Sequence, residues 1–218
     1  MSMRLLHVLV DALGETLLMV FASGAIGYLF GIPVGVLLYL TRPGRLKEHR
    51  VLFLTVSTLV NAGRSVPFII FLVAVIPLTR LLTGTSIGTV AAIVPLSLQA
   101  IPFIARMVEG ALLEVPTSSV EAALTLGAKT SQVVWRILLP EALPGILSGV
   151  TITLIALVGY SAMAGVVGGG GLGDIGIRYG YQRFDAAVMV AVVIVLLLLI
   201  QAIQLIGEKL VRAVDHRN

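Results

Sequence analysis

The chain has 218 residues, of which 58% are hydrophobic and 12% charged, and its mean hydropathy is +1.06. Soluble domains are about 25% charged, so this composition excludes a disordered chain, a nucleic-acid-binding domain and an ordinary soluble enzyme, and points to an integral membrane protein. The net charge of +4 then reads as Lys and Arg gathered in cytoplasmic loops, and the absence of cysteine excludes disulfides, thiolate metal sites and cysteine nucleophiles.

A spanning helix needs about 20 mostly apolar residues. Five stretches qualify: 16–40, 52–78, 87–107, 145–167 and 186–206. The first is too long for the h-region of a cleaved signal peptide. Gly27, Gly31 and Gly35 recur along it at intervals of four, a spacing that lets helix backbones approach closely, within a bundle or between copies.

The second stretch carries a break, Asn61-Ala62-Gly63-Arg64-Ser65-Val66-Pro67. Proline removes a backbone donor and clashes with the preceding turn. Two readings stay open. One is a broken helix beside a transport route, because freed backbone polar groups at membrane depth need protein or water around them. The other is a simple kink with Arg64 snorkelling to the cytoplasmic interface. Gln99 is the polar candidate in the third stretch.

The segment 107–144 is long for a connection and is patterned. Ser118 and Glu121 have capping-box spacing, which predicts a short helix over 119–126. Gly127 is placed to end it in a left-handed conformation. Thr130 is placed to cap a second short helix running to 138. Pro140 is expected to stop that helix, and Pro144 suits the first turn of the fourth span. These helices carry Val120, Ala122, Ala123, Leu124, Val133, Val134, Trp135 and Ile137. Such apolar content suits the bundle or membrane surface, or a groove on a partner.

Beyond the fourth stretch, residues 168–171 are all glycine. No Lys-Ser or Lys-Thr follows, so this is not a phosphate loop. The expectation is a flexible outer loop, with docking of a binding protein as its functional version.

Charge orients the bundle. Arg42, Arg45, Lys47 and Arg50 follow the first span; Arg106, Lys129 and Arg136 lie between the third and fourth; Lys209, Arg212 and Arg217 follow the fifth. The opposite side holds Arg4, Arg80, Arg178 and Arg183. The positive-inside rule puts the N-terminus outside and the C-terminus in the cytoplasm. No acidic residue lies deep in a span: Glu15 falls near the outer end, Glu109 and Glu208 near cytoplasmic ends. Ion-coupled transporters commonly carry buried ionisable groups. His7, His49 and His216 are too scattered in sequence for a metal site.

The run Glu121-Ala122-Ala123, with Gly127 and Ala128 following, and the close at Ile137, Leu139 and Pro140, resembles the EAA loop of bacterial ABC-importer permeases. Further stretches, Gly31-Ile32-Pro33-Val34-Gly35, Arg64-Ser65-Val66-Pro67-Phe68, Pro102-Phe103-Ile104-Ala105-Arg106, Leu139-Pro140-Glu141-Ala142-Leu143-Pro144-Gly145 and Val158-Gly159-Tyr160-Ser161-Ala162-Met163, extend that resemblance to permeases of methionine importers over nearly the whole chain. It implies an all-α permease domain over 1–218, with five transmembrane helices in the bacterial inner membrane. The loop 108–144 between the third and fourth helices would be the cytoplasmic coupling element. Its short helices would dock into a groove on a separate ABC ATPase subunit. ATP and magnesium would sit on that subunit, and this chain would bind no cofactor. The resemblance further implies a homodimer with the route on its two-fold axis, near the fourth and fifth spans. A pair of ATPases would sit below, and a substrate-binding lipoprotein outside.

For methionine, L or D, the route needs modest polarity and soft walls. Tyr160, Ser161 and Met163 supply hydroxyls and an adaptable thioether; Met163 is equally suited to packing. Asn61 and Arg64, placed near the cytoplasmic end of the second span, and Gln99 are candidates to meet the substrate. Two alternatives stay open: a permease for another small amino acid or solute, and an ATP-independent secondary transporter or channel, which has no need of the patterned loop.

Overall fold

The computed structural model describes residues 3–215, with side chains from residue 6 onward. His216 and Arg217 lie outside the described residues, as does the side chain of Arg4. Helix α1 runs over Met3–Thr41. At 1.5 Å per residue it is about 58 Å long, nearly twice the hydrocarbon thickness, so it begins well before the predicted residue 16. Helix α2 covers Arg50–Ser65, opened by the His49 Nδ1, which accepts from the Leu52 amide at 3.1 Å. Val66 and Pro67 are extended, and α3 follows over Phe68–Ala74 at 104° to α2. The break is therefore a sharp turn rather than a simple kink: two extended residues in succession interrupt the helical hydrogen-bond ladder altogether. Helix α4 spans Ile76–Thr83 and ends on left-handed Gly84.

Helix α5, Thr89–Leu113, is the axis of the bundle. Half of its apolar window is buried, against 17% for the last helix. It outlasts the predicted third span by six residues, nearly two turns, which shortens the connection that follows. That connection holds α6 (Thr117–Thr125), α7 (Thr130–Val133), a π-helical segment (Val134–Leu138) and α8 (Leu139–Glu141). Helix α9, Leu143–Val166, carries Pro144 in its first turn, as predicted. Helix α10 (Gly171–Ile175), a second π-helical segment (Gly176–Tyr181) and α11 (Ala186–Val214) complete the chain. Among the described residues, four helices are long and apolar enough to cross a membrane, and five crossings result if the bent α2–α3 pair counts as one.

Glycines set the interhelical distances. A Cβ on Gly31 would lie 2.6 Å from the Ile104 Cγ2, and one on Gly35 would lie 2.7 Å from the Ala105 carbonyl oxygen. The spaced glycines thus seat α1 on α5 within one chain. Gly145 seats α9 on α5, where a Cβ would meet that of Ala111 at 2.9 Å. Leu197 and Leu198 on α11 and Leu29 and Phe30 on α1 stay exposed, a natural surface where hydrocarbon is the solvent.

The 168–171 glycine run is not a flexible loop. The Gly171 amide donates to the Glu15 Oε2 at 2.6 Å, and the Leu172 amide to the Thr16 Oγ1 at 2.9 Å. The Gly168 carbonyl accepts from Gly88 at 2.9 Å, and a Cβ on Gly169 would lie 2.8 Å from the Ala164 carbonyl oxygen. The glycines are there because the backbone turns back against α1 and α9 without room for side chains. Positive φ at Gly168, Gly170 and Gly171 makes the turn.

Candidate functional site: a surface connection and a polar seam

The connection between α5 and α9 begins at Pro116, whose φ of −56° and ψ of 130° place it just outside α6. Thr117 is the first helical residue, so Ser118 lies inside the first turn and makes no cap. The Ser118–Glu121 capping box does not form, because the proline sets the helix start two residues earlier. Glu121 and Ala122 are exposed, while Val120 and Ala123 are buried in the main core. Glu121 lines a cavity of about 260 Å³ together with Tyr39 and Arg45.

The end of α6 is a Schellman motif. Gly127 has φ of +79°. Its amide donates to the Leu124 carbonyl at 2.9 Å, and the Ala128 amide donates to the Ala123 carbonyl at 3.0 Å. Ala128 packs on the core. Lys129, not Thr130, precedes α7, and its amide donates to the Gln132 Oε1 at 2.8 Å. Glutamine three residues ahead supplies this acceptor, which displaces the predicted threonine cap.

Pro140 does not stop the chain's helical course. Residues 134–138 widen into a π-helical segment, and α8 and α9 follow with only Ala142 between them. Proline lacks the donor an α-helix would require there, and a π-bulge is one way to relieve that demand. Leu139 packs on the core, with Val133, Val134 and Leu138 buried beside it. Trp135 is 72% exposed and Leu126 88%. The apolar residues of the connection therefore divide between an inward face and an outward one.

The second assembly is a polar seam between α2 and α5. Glu109 is 1% exposed. Its carboxylate accepts from the Arg106 Nη1 at 2.6 Å and from the Arg42 Nη1 at 3.2 Å. The Arg106 Nη2 also donates to the Ser57 Oγ at 2.8 Å and to the Asn61 Oδ1 at 2.7 Å. Above this, the Gln99 Nε2 donates to the Gly63 carbonyl at 3.4 Å. Its Oε1 is buried and, among the described residues, has no hydrogen-bond partner. The Arg64 guanidinium lies over the Phe103 ring, 5.8 Å from its centroid. Arg64 stands about 21 Å along α2 from Arg50. It is therefore not near the loop end of that span as expected, since the unbroken α2 carries it to the level of Phe103.

The seam gathers Asn61, Arg64 and Gln99, but the α9 candidates lie elsewhere and apart. Tyr160 stacks on Phe68 at 4.9 Å between centroids, tying α9 to α3. Ser161 is 2% exposed and donates to the Val158 carbonyl at 2.8 Å. Met163 is 46% exposed. Sequence reasoning does not single out Glu109 as a site residue. Its Arg106 partner has a visible signal, the i,i+3 spacing on one helix; Arg42, 67 residues away, has none.

Comparison places the geometry among known proteins. Residues 12–217 match the family of binding-protein-dependent transport system inner membrane components. The probable D-methionine transport system permease protein MetI of Vibrio cholerae is 56% identical over 209 residues, 96% of this chain and 93% of that protein. The D-methionine transport system permease protein MetI of Escherichia coli K12 is 58% identical over 165 residues, 76% of each chain. A chain of the MetNI methionine ABC transporter, solved in inward-facing conformations, superposes with a TM-score of 0.98 at 55% identity, over 99% of this chain and 100% of that one.

Proposed function

The chain belongs to the family of binding-protein-dependent transport system inner membrane components, and from that premise we propose that it is the membrane-spanning permease subunit of an ATP-driven methionine importer. The observation that carries this reading is the full-length correspondence with a chain of the MetNI methionine ABC transporter. Neither a permease for an unrelated solute nor an ATP-independent channel accounts for that correspondence.

In this reading two copies enclose the route in the inner membrane, and a pair of ABC ATPase subunits drives it. ATP and magnesium bind on those subunits and supply the free energy; this chain holds no cofactor. The N-terminus lies outside and the C-terminus in the cytoplasm. A substrate-binding lipoprotein delivers methionine from outside. Residues 108–144 form the coupling element within a single permease domain. Glu121, Ala122, Gly127 and the outward Leu126 and Trp135 meet the ATPase; Ala123, Ala128, Leu139 and Pro140 hold the element on the bundle.

The anchoring supports the mechanism. Val120 and Ala123 fasten α6 to the core, and α6 follows α5 after only three residues. A push on α6 therefore displaces the end of α5. Arg106 passes that displacement to α2 through Ser57 and Asn61, up to the 104° break. Tyr160, stacked on Phe68 beyond the break, links the same movement to α9. Tyr160, Ser161, Met163, Asn61, Arg64 and Gln99 are the route and gate candidates.

The test is affinity purification of the chain from mild detergent extracts of its native membrane, with mass spectrometry of what accompanies it, followed by labelled-methionine uptake. The expected result is a stoichiometric ABC ATPase and ATP-dependent methionine uptake. A chain that purifies alone and moves solute in liposomes without ATP overturns the proposal.

A further inference from the structure

A groove of about 530 Å³ runs between α9 and α11 at the end nearest the coupling element. Ile152 and Ile155 form its apolar wall, while Gln204, Glu208 and Arg212 line it from α11. These three polar residues recur every four positions and so share one helix face. The Glu208 carboxylate accepts from the Arg212 Nη2 at 3.3 Å and from the Gln204 Nε2 at 3.3 Å. Both members of the ion pair are substantially open, 47% and 76% exposed. A pair this exposed contributes little to stability and rearranges at little cost.

The groove is also continuous with a wider surface. Along α9, Ser148, Ile152, Gly159, Met163 and Val166 are all exposed. Their spacing is that of one helix face, so the groove lies on the same face as the candidate gate Met163.

We infer that this groove is a binding station for a free amino acid with an apolar side chain, on the cytoplasmic half of the route. The α-carboxylate pairs with Arg212, the α-ammonium with Glu208 and the Gln204 amide oxygen, and the side chain lies on Ile152 and Ile155. An opposite-charge pair beside an apolar wall is the complement of such a zwitterion: opening the pair leaves each charge with a new counter-charge. The inference rests on the importer reading above and adds a location and a ligand class to it.

The experiment uses the assembled transporter in nanodiscs and a photoactivatable diazirine analogue of methionine, with peptide mapping of the label. Label is expected on residues 148–155 and 204–212, competed by excess methionine. Glu208→Gln with Arg212→Gln should reduce it at least about tenfold, the equivalent of one of the two charge-assisted contacts that it removes. Co-purification of the ATPase with the double variant confirms that it folds. The wild-type map stands by itself should that variant not assemble. Label confined to other segments, or undiminished in an assembled double variant, overturns the groove as the station. Methionine uptake by the wild-type complex is measured in parallel. Its absence overturns the importer reading together with the station, whereas uptake with label elsewhere overturns the station alone.

Discussion

Gly35 and Glu109 show how single residues hold the bundle together. A methyl group at Gly35 meets the Ala105 carbonyl oxygen at 2.7 Å, and backbone cannot step aside as a flexible side chain can. Gly35→Ala should therefore destabilise the protein by about 1–3 kcal/mol, the usual range for overpacking. Gly14, on the same helix, has nothing within 4 Å of the place a methyl group would take. Gly14→Ala should be neutral or stabilising by a few tenths to about 1 kcal/mol. Thermal unfolding of both variants in detergent checks the contrast. Glu109 answers two arginines at once, one 42% and the other 23% exposed by side chain. Removing one partner of a buried pair costs about 3–5 kcal/mol, and the partial exposure of Arg42 and Arg106 argues for the lower end. Glu109→Ala should lower the unfolding temperature clearly, and Glu109→Gln by less, because an amide still accepts hydrogen bonds. Equal stability of all three proteins would contradict the clamp.

At the scale of elements, the connection between α5 and α9 is rigid where it bends. Gly127 combines a φ of +79° with both hydrogen bonds of a Schellman motif, so α6 ends in a fixed corner rather than a swivel. A β-branched residue there costs about 1–2 kcal/mol for the left-handed conformation, whereas asparagine tolerates it better. Gly127→Val should raise amide exchange across 117–133 and weaken ATPase retention; Gly127→Asn should do so far less. Hydrogen exchange of the purified complex separates the two outcomes. Proline acts by context in the same connection. Pro116 starts a helix, Pro144 fits a first turn, and Pro140 is accommodated by a π-helical segment instead of ending the helical path. A capping box read from Ser118 and Glu121 fails for the same reason: the residue two places before the serine already sets the boundary.

For the whole molecule, orientation is open to direct measurement because the chain has no cysteine. Single substitutions Lys47→Cys and Thr85→Cys fall at exposed positions on either side, in sequence, of the bent α2–α3 pair. A membrane-impermeant maleimide should label Thr85→Cys in intact spheroplasts and Lys47→Cys only after permeabilisation; the reverse pattern would invert the topology. Much of the architecture is legible in the sequence. The apolar runs locate the crossings, the glycine spacing marks α1's contact face, and the Asn61–Pro67 run marks the break, because span length, helix propensity and proline sterics act within a few residues. The rest depends on proximity between distant parts of the chain. Glu109 finds Arg42 across 67 residues, and the glycine run closes on Glu15 and Thr16 across 156. Neither periodicity nor composition encodes such pairings. They exist because glycine seams bring α1 against α5 closely enough for a buried carboxylate to reach a second arginine, and for a backbone turn to replace a loop. The local chemistry of the sequence thus determined which segments cross the membrane and where they bend, while only the packed bundle decided which polar groups meet and which face of α9 stays open.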